Sequence, residues 1–309
     1  MKLRIGTRGS KLALWQAEHI RDRLHREQAI GSEVVIIKTT GDKFSSAAVP
    51  DVGGKGIFIK EIEDALLEGR VDLAVHSLKD VPTLTPRGLV FPAITKREDP
   101  YDCLISRSGR PLAGLPAGAR VGTSSLRRQA QLRFQRGDLQ ILNLRGNVDT
   151  RLRKLDSGEM DAIIVAKAGL DRLGLAARIT ETLAPDIMLP AVGQGALAIE
   201  CRESDSGVID ALASFDHAET RSAVAAERAL LAELEGGCQV PLGAWARIEK
   251  QQLQLDARVL AADGSECIAR HANGSADAAE KIGRQLAREL LAAGADRLLR
   301  LAGRSVSGA

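Results

Sequence analysis

Apolar strands that end in a polar turn and lead into a helix recur over the first two thirds of the chain. Residues 3–6 predict the first of these strands, and Ser10 is expected to cap a helix that runs to about Gln28. An alternation of strands and helices of this kind predicts an α/β fold. Ligands of open α/β sheets bind beyond the carboxyl ends of the strands, so the turns that follow the strands are the candidate site.

The alternation is interrupted once by a long segment without periodicity. Residues 40–56 include four glycines, two serines and one proline. Because loops of this length in compact domains are usually functional or disordered, we interpret the segment as a mobile lid with Lys55 near its base. Further strands are predicted at residues 34–38, from 72, and at 141–144, 161–166 and 197–200, and further helices at 57–69, from 126 and at 167–173.

Beyond about residue 215 the pattern changes. Residues 217–235 predict a long helix, and apolar and polar residues alternate strictly over residues 253–259. Asp263-Gly264 predicts a hairpin turn between two strands. These features predict a small α+β domain with an antiparallel sheet, distinct from the α/β part before it. We detect no internal repeat in the sequence.

Cys238 lies on a predicted tight turn. Gly236 and Gly237 end the long helix before it, and Pro241 prevents a helix from resuming. The sulfur can therefore point away from the local backbone and serve as a tether for a covalent group. The alternative is a small buried hydrophobic residue at a helix end, and the turn by itself favours that alternative.

The composition limits the cellular setting. The cysteines, at positions 103, 201, 238 and 267, form no C-x-x-C pair and have no zinc spacing, which predicts free thiols in a reducing cytoplasm. No stretch resembles a signal peptide or has the length to span a bilayer, so we expect a soluble, cytoplasmic protein. A formal net charge of +3 gives no overall case for nucleic acid or membrane binding.

Polar side chains collect where the predicted strands end. Arg8 follows the first strand, and the strand that begins near residue 72 leads into Ser77, Lys79 and Asp80. A neighbouring Asp and Lys are usually a solvated surface pair. Because this pair stands at a strand end, a role in the site is about equally supported.

Arginines are concentrated between residues 120 and 154. This stretch contains eight arginines and only two acidic residues, Asp138 and Asp149. Arg127 and Arg128 fall in the first turn of a predicted helix, where cations oppose the helix dipole, so a bound anion is expected to compensate. Arg145 lies at the next junction of a strand with a helix. A solvated basic face is the preferred interpretation for Arg133, Arg136 and Arg153.

These features favour a small ligand with several anionic groups. No histidine has a partner pattern for Ser-His-Asp or Cys-His catalysis, and no cluster has metal-ligand spacing. Aromatic residues are only 3% of the chain, whereas binders of single-stranded nucleic acid normally stack bases on aromatics. Arginine forks match carboxylates and phosphates in two-point contacts.

Seven motifs in this order resemble the porphobilinogen deaminase, or hydroxymethylbilane synthase, family, and the resemblance covers almost the whole chain. They are Gly6-Thr7-Arg8-Gly9-Ser10, Gly53-Gly54-Lys55-Gly56, the segment from Ala74 to Pro82, the segment from Gly122 to Arg128, Leu144-Arg145-Gly146-Asn147, the segment from Pro190 to Gly195, and the segment from Glu235 to Pro241. The resemblance implies two α/β domains that look like the halves of a periplasmic binding protein, and a smaller C-terminal α+β domain with an antiparallel sheet. The implied ranges are residues 1–95 with 196–213, 101–189, and 218–309.

The resemblance also implies a reaction. Four porphobilinogen molecules would be deaminated and joined head to tail on a covalent dipyrromethane primer, held by a thioether bond to Cys238, and hydrolysis would release the linear tetrapyrrole hydroxymethylbilane. Asp80 matches the catalytic carboxylate of the family. The positions that match contacts to primer and substrate carboxylates are Arg8, Ser10, Lys55, Lys79, Thr123, Ser125, Arg127, Arg128, Arg145, Arg151 and Arg172. The expected protein is a monomer that uses porphobilinogen as its small-molecule substrate, with no metal, nucleic acid or membrane.

Two positions depart from the family pattern, and two other functions stay open. Tyr101 stands where the family commonly has arginine, and Cys103 replaces a usual alanine, which makes it a possible second reactive thiol. A non-catalytic anion-binding protein of the periplasmic type would use the same arginines but need neither Asp80 nor Cys238. Nucleic-acid binding would instead show affinity for oligonucleotides with a steep salt dependence.

Overall fold

The computed structural model describes residues 2–39, 59–234 and 240–306. The predicted lid at residues 40–56, with Lys55, and the predicted turn at Cys238 lie outside the described residues. The chain divides into two compact units. The first unit comprises Met1–Glu98 and Ala196–Arg221, and the second comprises Asp99–Gly195 and Ser222–Ala309.

The elements follow one another in a mixed order of strands and helices. The strands are β1 (Lys2–Thr7), β2 (Gly31–Ile36), β3 (Leu73–Ser77), β4 (Leu89–Ile94), β5 (Asp102–Ser106), β6 (Arg120–Gly122), β7 (Gln140–Leu142), β8 (Ala162–Ala166), β9 (Glu181–Thr182), β10 (Leu197–Arg202), β11 (Leu242–Glu249), β12 (Gln252–Leu260) and β13 (Cys267–Ser275). The α-helices are α1 (Lys11–Gln28), α2 (Lys60–Leu67), α3 (Leu126–Gln135), α4 (Val148–Asp156), α5 (Lys167–Arg172), α6 (Ser206–Leu212), α7 (Ala218–Glu233), α8 (Ala279–Ala292) and α9 (Ala295–Val306).

The first unit is built on a five-stranded sheet in the order β2-β1-β3-β10-β4. β1 is parallel to β2 and β3, whereas β10 runs antiparallel to both of its neighbours. Ile20 of α1 packs in one core cluster with Val75, and Ile62 of α2 packs in another with Ala74. Because successive side chains of a strand point to opposite faces, the two helices cover opposite faces of this sheet.

The second unit contains a sheet of the same pattern, in the order β7-β6-β8-β5-β9. β6 is parallel to β7 and β8, and β5 is antiparallel to its neighbours. The likeness extends to single residues: Arg4 of β1 binds the Asp72 carboxylate with Nη2 at 2.7 Å, and Arg120 of β6 binds Asp161 with Nη2 at 2.8 Å. The two sheets therefore repeat one pattern that the sequence analysis did not detect.

The second unit also contains an antiparallel sheet in the order β11-β12-β13. Leu253, Leu255 and Ala257 of β12 are buried in one core with α7 and α8, which confirms the predicted alternation. The hairpin turn at Gly264 has a φ of 77°, and a Cβ there would lie 2.6 Å from the Arg133 Cβ. This turn therefore packs closely on α3.

The predicted fold class is confirmed for each of the three sheets. Both α/β sheets and the C-terminal antiparallel sheet are present, and β10 lies in the first sheet, as the resemblance implied. The first helix begins after Ser10, whose Oγ accepts the N–H of Ala13 at 3.3 Å. The strand predicted at residues 34–38 is instead Gly31–Ile36, since its pairing with β1 starts at Lys2 and Gly31. The division into three domains stays a prediction.

Candidate functional site

The catalytic residue predicted for the first unit lies where β1 and β3 end. The two strands are parallel neighbours, so their carboxyl ends meet at one edge of the sheet. Arg8 and Ser10 follow β1, and a 3₁₀ turn over Leu78–Asp80 follows β3. Asp80 is exposed, whereas Lys79 is half-buried. The structure thus brings these predicted residues to a single edge.

The backbone before Asp80 is held by contacts on either side of the strand end. The amide of Gln16 in α1 donates a hydrogen bond to Ser77 Oγ at 2.8 Å. The N–H of Leu78 donates to the carbonyl of Ala196 at 3.0 Å. The exposed carboxylate of Asp80 therefore extends from a turn whose start is fixed by α1 and by the segment that leads into β10.

The second unit presents a similar edge where β6 and β7 end. Thr123 is buried, its N–H donates to the carbonyl of Leu142 at 2.9 Å, and its Oγ1 accepts the N–H of Ser125 at 3.2 Å. Arg145 follows β7 and is exposed. The hydroxyls of Thr123 and Ser125 and the guanidinium of Arg145 therefore follow neighbouring parallel strands.

Donor groups at this second edge suit an anion. Within the described residues, neither Ser125 of α3 nor Asn147 of α4 caps its helix with a side-chain hydrogen bond. The buried Oγ of Ser124 also has no hydrogen-bond partner in the described part of the chain. Helix N-termini carry free N–H groups and a partial positive charge, so carboxylates would satisfy these groups. The residues present thus fit a ligand rich in carboxylates.

Arg127 and Arg128 are satisfied inside the protein. Arg127 Nη1 lies 2.6 Å from Oδ2 of Asp102, and Arg128 Nη2 lies 2.7 Å from Oδ1 of the same carboxylate. All three side chains are buried. The expectation that a bound anion compensates these arginines therefore needs correction, because Asp102 of β5 supplies that charge. Their contact with ligand carboxylates stays a prediction.

The electrostatics of Asp102 follow from this geometry. Burial by itself raises the pKa of the carboxyl, but the two adjacent guanidinium groups outweigh it and hold the pKa well below its usual range. The amide of Gln194 donates a further hydrogen bond to Asp102 Oδ1 at 2.9 Å. These donors all favour the ionised form of the Asp102 carboxylate.

Arg151 and Arg172 bind backbone carbonyls close to the second edge. Arg151 Nε donates to the carbonyl of Gly146 at 2.8 Å, and Arg172 Nη2 donates to the carbonyl of Gly195 at 2.8 Å. Arg151 is half-buried, whereas Arg172 is 7% exposed. Of the arginines predicted for the second unit, Arg145 is thus the one that is exposed.

The turn at residues 190–195, which carries one of the seven motifs, is anchored within the second unit. The N–H of Gly193 donates to Glu227 Oε2 at 2.6 Å, and the N–H of Ala246 donates to the other oxygen of that carboxylate at 2.7 Å. Glu227 and Asp102 are the anchoring residues that sequence reasoning missed. Neither stands in a motif with a spacing that would have singled it out, because their partners come from distant parts of the chain.

Two arginines interpreted as a solvated basic face have structural partners instead. Arg133 Nη1 donates to the carbonyl of Ala262 at 2.6 Å, and Arg136 binds Asp138 and the carbonyl of Leu112, each at 2.7 Å. Ala262 and Leu112 lie in a hairpin turn and a 3₁₀ segment that periodicity does not connect with α3. Arg153 is exposed, as expected.

The two departures from the family pattern have local explanations. The Tyr101 ring meets the Trp245 ring edge-on, with centroids 5.4 Å apart, and so packs on β11. The Cys103 thiol is fully buried, and burial, reinforced by the charge of Asp102, raises its pKa to about 12. The expectation of a second reactive thiol is therefore wrong, because only an exposed thiolate reacts readily.

Two other kinds of site are absent from the described residues. In residues 2–39, 59–234 and 240–306, no group of three or more His, Cys, Asp or Glu side chains could hold a metal ion. No helix in that same part of the chain combines the length and apolar character needed to cross a bilayer.

Two family models match almost the whole chain. The model described as "Porphobilinogen deaminase, dipyromethane cofactor binding domain" matches residues 3–210, and "Porphobilinogen deaminase, C-terminal domain" matches residues 222–292. The chain belongs to the porphobilinogen deaminase family. The resemblance carried by the seven motifs is confirmed, and the porphobilinogen deaminase family consists of transferases of tetrapyrrole synthesis.

Porphobilinogen deaminases from bacteria are similar to this chain over its length. The porphobilinogen deaminase of Syntrophotalea carbinolica is 52% identical over 298 residues, which cover 96% of this chain and 95% of that protein. That of Pelobacter propionicus is 50% identical over 299 residues, which cover 96% of each.

Solved structures with distant likeness include periplasmic and lipoprotein chains. The methionine-binding protein MetQ aligns with a TM-score of 0.43 at 13% identity over 69% of this chain and 89% of its own. Immunogenic lipoprotein A from Vibrio vulnificus aligns with a TM-score of 0.43 at 13% identity over 71% of this chain and 97% of its own. The sheet orders given above, and not these alignments, establish the fold class of this porphobilinogen deaminase family member.

Proposed function

We propose that the chain catalyses the stepwise deamination and head-to-tail condensation of four porphobilinogen molecules into hydroxymethylbilane. The observation that carries the proposal is the family match over residues 3–210 and 222–292, together with Asp80 at the carboxyl end of β3. A strand end is where an α/β sheet presents groups to a ligand, and Asp80 is exposed there.

Cys238 is the proposed attachment point for dipyrromethane, through a thioether bond. When bound, dipyrromethane supplies the nucleophilic terminal ring to which porphobilinogen units are added. The family model described as the cofactor-binding domain matches residues 3–210, and Cys238 falls in the range of the C-terminal domain model, residues 222–292. Support from the described residues lies in the carboxylate-compatible edge of the second unit, where Ser124 Oγ has no hydrogen-bond partner in the described part and neither Ser125 nor Asn147 caps the helix that follows it.

Asp80 is the proposed catalytic carboxylate. Loss of ammonia from porphobilinogen leaves a positively charged pyrrole fragment, and a fixed carboxylate stabilises that charge where it develops. The same carboxylate can accept or return a proton at the pyrrole nitrogen. Lys79, on the same turn, keeps the surroundings of the carboxylate positive, so that a substrate with its own carboxylates is not repelled.

The arginines are proposed to bind the acetate and propionate groups of the rings. Each ring carries two carboxylates, and two like charges at about 4 Å repel by roughly 4 kcal/mol at an effective dielectric constant of about 20. Opposing cations are therefore needed to hold several rings close together. The proposed contacts are Arg8, Ser10, Lys55, Lys79, Thr123, Ser125, Arg127, Arg128, Arg145, Arg151 and Arg172.

The proposed arginine contacts are of two kinds, which differ in whether the arginine already binds a carboxylate of the protein. Arg145 is exposed and suited to direct contact, whereas Arg127 and Arg128 bind Asp102 and add positive charge from behind the edge. We propose further that the protein is a cytoplasmic monomer with porphobilinogen as its substrate. Neither nucleic acid nor membrane is a proposed partner.

Intact-protein mass spectrometry of the purified protein tests the tether. The measured mass should exceed the mass of the chain by one dipyrromethane, and a tryptic peptide that contains Cys238 should carry the addition. A bare Cys238 in protein that turns over porphobilinogen would overturn the proposed attachment. A chain without the dipyrromethane addition and without turnover would favour the alternative function, a non-catalytic anion-binding protein.

Substitution of Asp80 tests the catalytic role. Asp80→Asn should lower kcat by about 10²- to 10⁴-fold, since the carboxylate charge is lost, while the dipyrromethane addition remains in the intact mass. Glu68→Gln is the matched control, because Glu68 is an exposed carboxylate of the same unit paired with Arg70. Normal turnover by Asp80→Asn would exclude the role given to Asp80.

A further inference from the structure

His76 and Glu200 form a buried polar pair inside the first unit. His76 Nε2 lies 2.9 Å from Glu200 Oε2, and the side chains are 5% and 0% exposed. The pair joins β3 to β10, the neighbouring strand of the sheet. β3 ends at Ser77, one residue after His76, and leads directly into the turn that carries Asp80.

The surroundings of this pair do not suggest that it stabilises the fold. Glu63 of α2 faces it, and burial together with the charge of Glu200 raises the pKa of Glu63. The Phe91 ring meets the His76 ring edge-on, with centroids 6.4 Å apart. Oε1 of Glu200 is buried and has no hydrogen-bond partner among the described residues. A buried carboxylate with an unsatisfied oxygen costs free energy of folding. A contribution to stability therefore does not account for the presence of this pair.

Because the two α/β sheets repeat one pattern, the residues of the second sheet that are equivalent to His76 and Glu200 can be identified. Ala74 of β3 pairs with Gly6, and Ile163 of β8 pairs with Gly122 in the same position of the second sheet. On the other side Ala74 pairs with Glu200, whereas Ile163 pairs with Ile105.

The same correspondence extends to the histidine. His76 lies two residues beyond Ala74, and Val165 lies two residues beyond Ile163, so the positions of His76 and Glu200 are filled in the second sheet by Val165 and Ile105. Both of these are buried and apolar. The fold is therefore compatible with an apolar pair, and the polar pair occurs in the unit that carries Asp80.

We infer that His76 and Glu200 are positioning residues for Asp80. The inference rests on the proposed catalytic role of Asp80. Gln16 holds Ser77 from the α1 face at 2.8 Å, while the His76–Glu200 bond holds the strand end from the α2 face. With both faces fixed, the 3₁₀ turn carries the exposed Asp80 carboxylate to one place. A hydrogen bond restricts the strand end to one lateral position, whereas apolar packing tolerates small shifts.

The double variant His76→Val/Glu200→Ile tests this inference by copying the apolar pair of the second sheet. Replacing a buried polar pair by apolar residues of similar size is often neutral for stability or stabilising. We therefore expect a folded protein with an unchanged denaturation midpoint and an intact dipyrromethane addition. Because small misplacements of a reacting group are costly, kcat should fall by about 10- to 100-fold while KM for porphobilinogen changes less than about 3-fold.

Conservative substitution separates hydrogen bonding from mere packing. Glu200→Gln keeps an oxygen for the imidazole and should recover most of the turnover lost in the double variant. Asp72→Asn is the matched control, since Asp72 binds Arg4 just before the amino end of β3, away from the turn. It should lower the denaturation midpoint and leave kcat unchanged.

The outcomes distinguish this inference from the function on which it rests. Turnover at the wild-type kcat by the double variant would overturn the positioning role and leave the role of Asp80 intact. An equal loss of kcat in Asp72→Asn would also overturn it, because any disturbance of β3 would then suffice. If Glu200→Gln recovered nothing, hydrogen bonding would be excluded as the cause. Normal turnover by Asp80→Asn would instead remove the catalytic role of Asp80 on which the inference rests, while absence of turnover in the wild type would remove the proposed function itself.

Discussion

Arg127 Nη1 lies 2.6 Å from Oδ2 of Asp102, and this ion pair is buried together with Arg128 behind the edge at which β6 and β7 end. The arginines that the sequence assigns to a ligand are thus fixed first by a carboxylate of the protein. A buried charge network of this kind holds its side chains in one arrangement. If one side chain moved away, the others would be left as buried charges without a counter-charge, which costs free energy.

Replacing Asp102 by asparagine should strongly destabilise the protein. Two buried guanidinium groups would lose their counter-charge, which costs about 3–5 kcal/mol of the free energy of unfolding. Urea denaturation measures this change. Asp138→Asn, which breaks the exposed pair with Arg136, is the control and should cost no more than about 1 kcal/mol. Equal losses in the two variants would contradict the buried network.

The stability of the protein should fall in acid. A hydrogen bond from Arg120 lowers the pKa of Asp161 to about 2, and the arginines beside Asp102 also hold the pKa of that carboxyl low. Carboxyls of the unfolded chain titrate at higher pH, so the unfolded state binds protons first as the pH falls. The contribution is complete above about pH 5 and is lost progressively toward about pH 2.

Denaturation midpoints measured over this range check the acid prediction. Asp161→Asn removes one of the titrating groups, so its midpoint should depend less on pH than that of the wild type. A wild-type midpoint that rises in acid would show that the sign is wrong.

Cys103 and Cys201 should resist alkylation in the folded protein because both are buried. Burial raises the pKa of Cys103 to about 12 and that of Cys201 to about 11, and it also raises the pKa of Cys267. Iodoacetamide should label neither Cys103 nor Cys201 before denaturation, as mass spectrometry of tryptic peptides would show. After denaturation all three should react, while a Cys238 already in a thioether should not. Rapid native labelling of Cys103 would contradict its burial.

Removal of Arg145 should slow elongation of the tetrapyrrole. Arg145→Ala takes away an exposed guanidinium at the second edge, and loss of a charge-assisted contact should lower kcat/KM by about 10- to 100-fold. Intact masses sampled during turnover should then show partly elongated chains. Arg153→Ala removes another exposed arginine of the same stretch and should change kcat/KM less than about 2-fold. Indistinguishable kinetics in the two variants would remove Arg145 from the proposed ligand contacts.

The periodicity of the sequence predicted most strands and helices, and the motif residues predicted the family. Ser10 was recognised as a helix cap because its hydroxyl and the helix that follows are adjacent in the chain. β4 and β5 were not predicted: Pro92 interrupts the apolar run of β4, and β5 is only five residues long with a polar residue at each end. The likeness of the two α/β sheets also escaped detection, because it consists of pairings such as Arg4 with Asp72, which are 68 positions apart.

The sequence by itself determined the family of this protein and the strand ends at which Arg8, Asp80 and Arg145 stand, since these depend on local order along the chain. Only the tertiary structure decided which arginines already have an internal counter-charge. It paired Arg127 and Arg128 with Asp102, and it joined His76 to Glu200, 124 positions away. A side chain is satisfied by whatever group the fold brings within hydrogen-bonding distance, and that group is set by sheet order and burial, which local pattern does not encode.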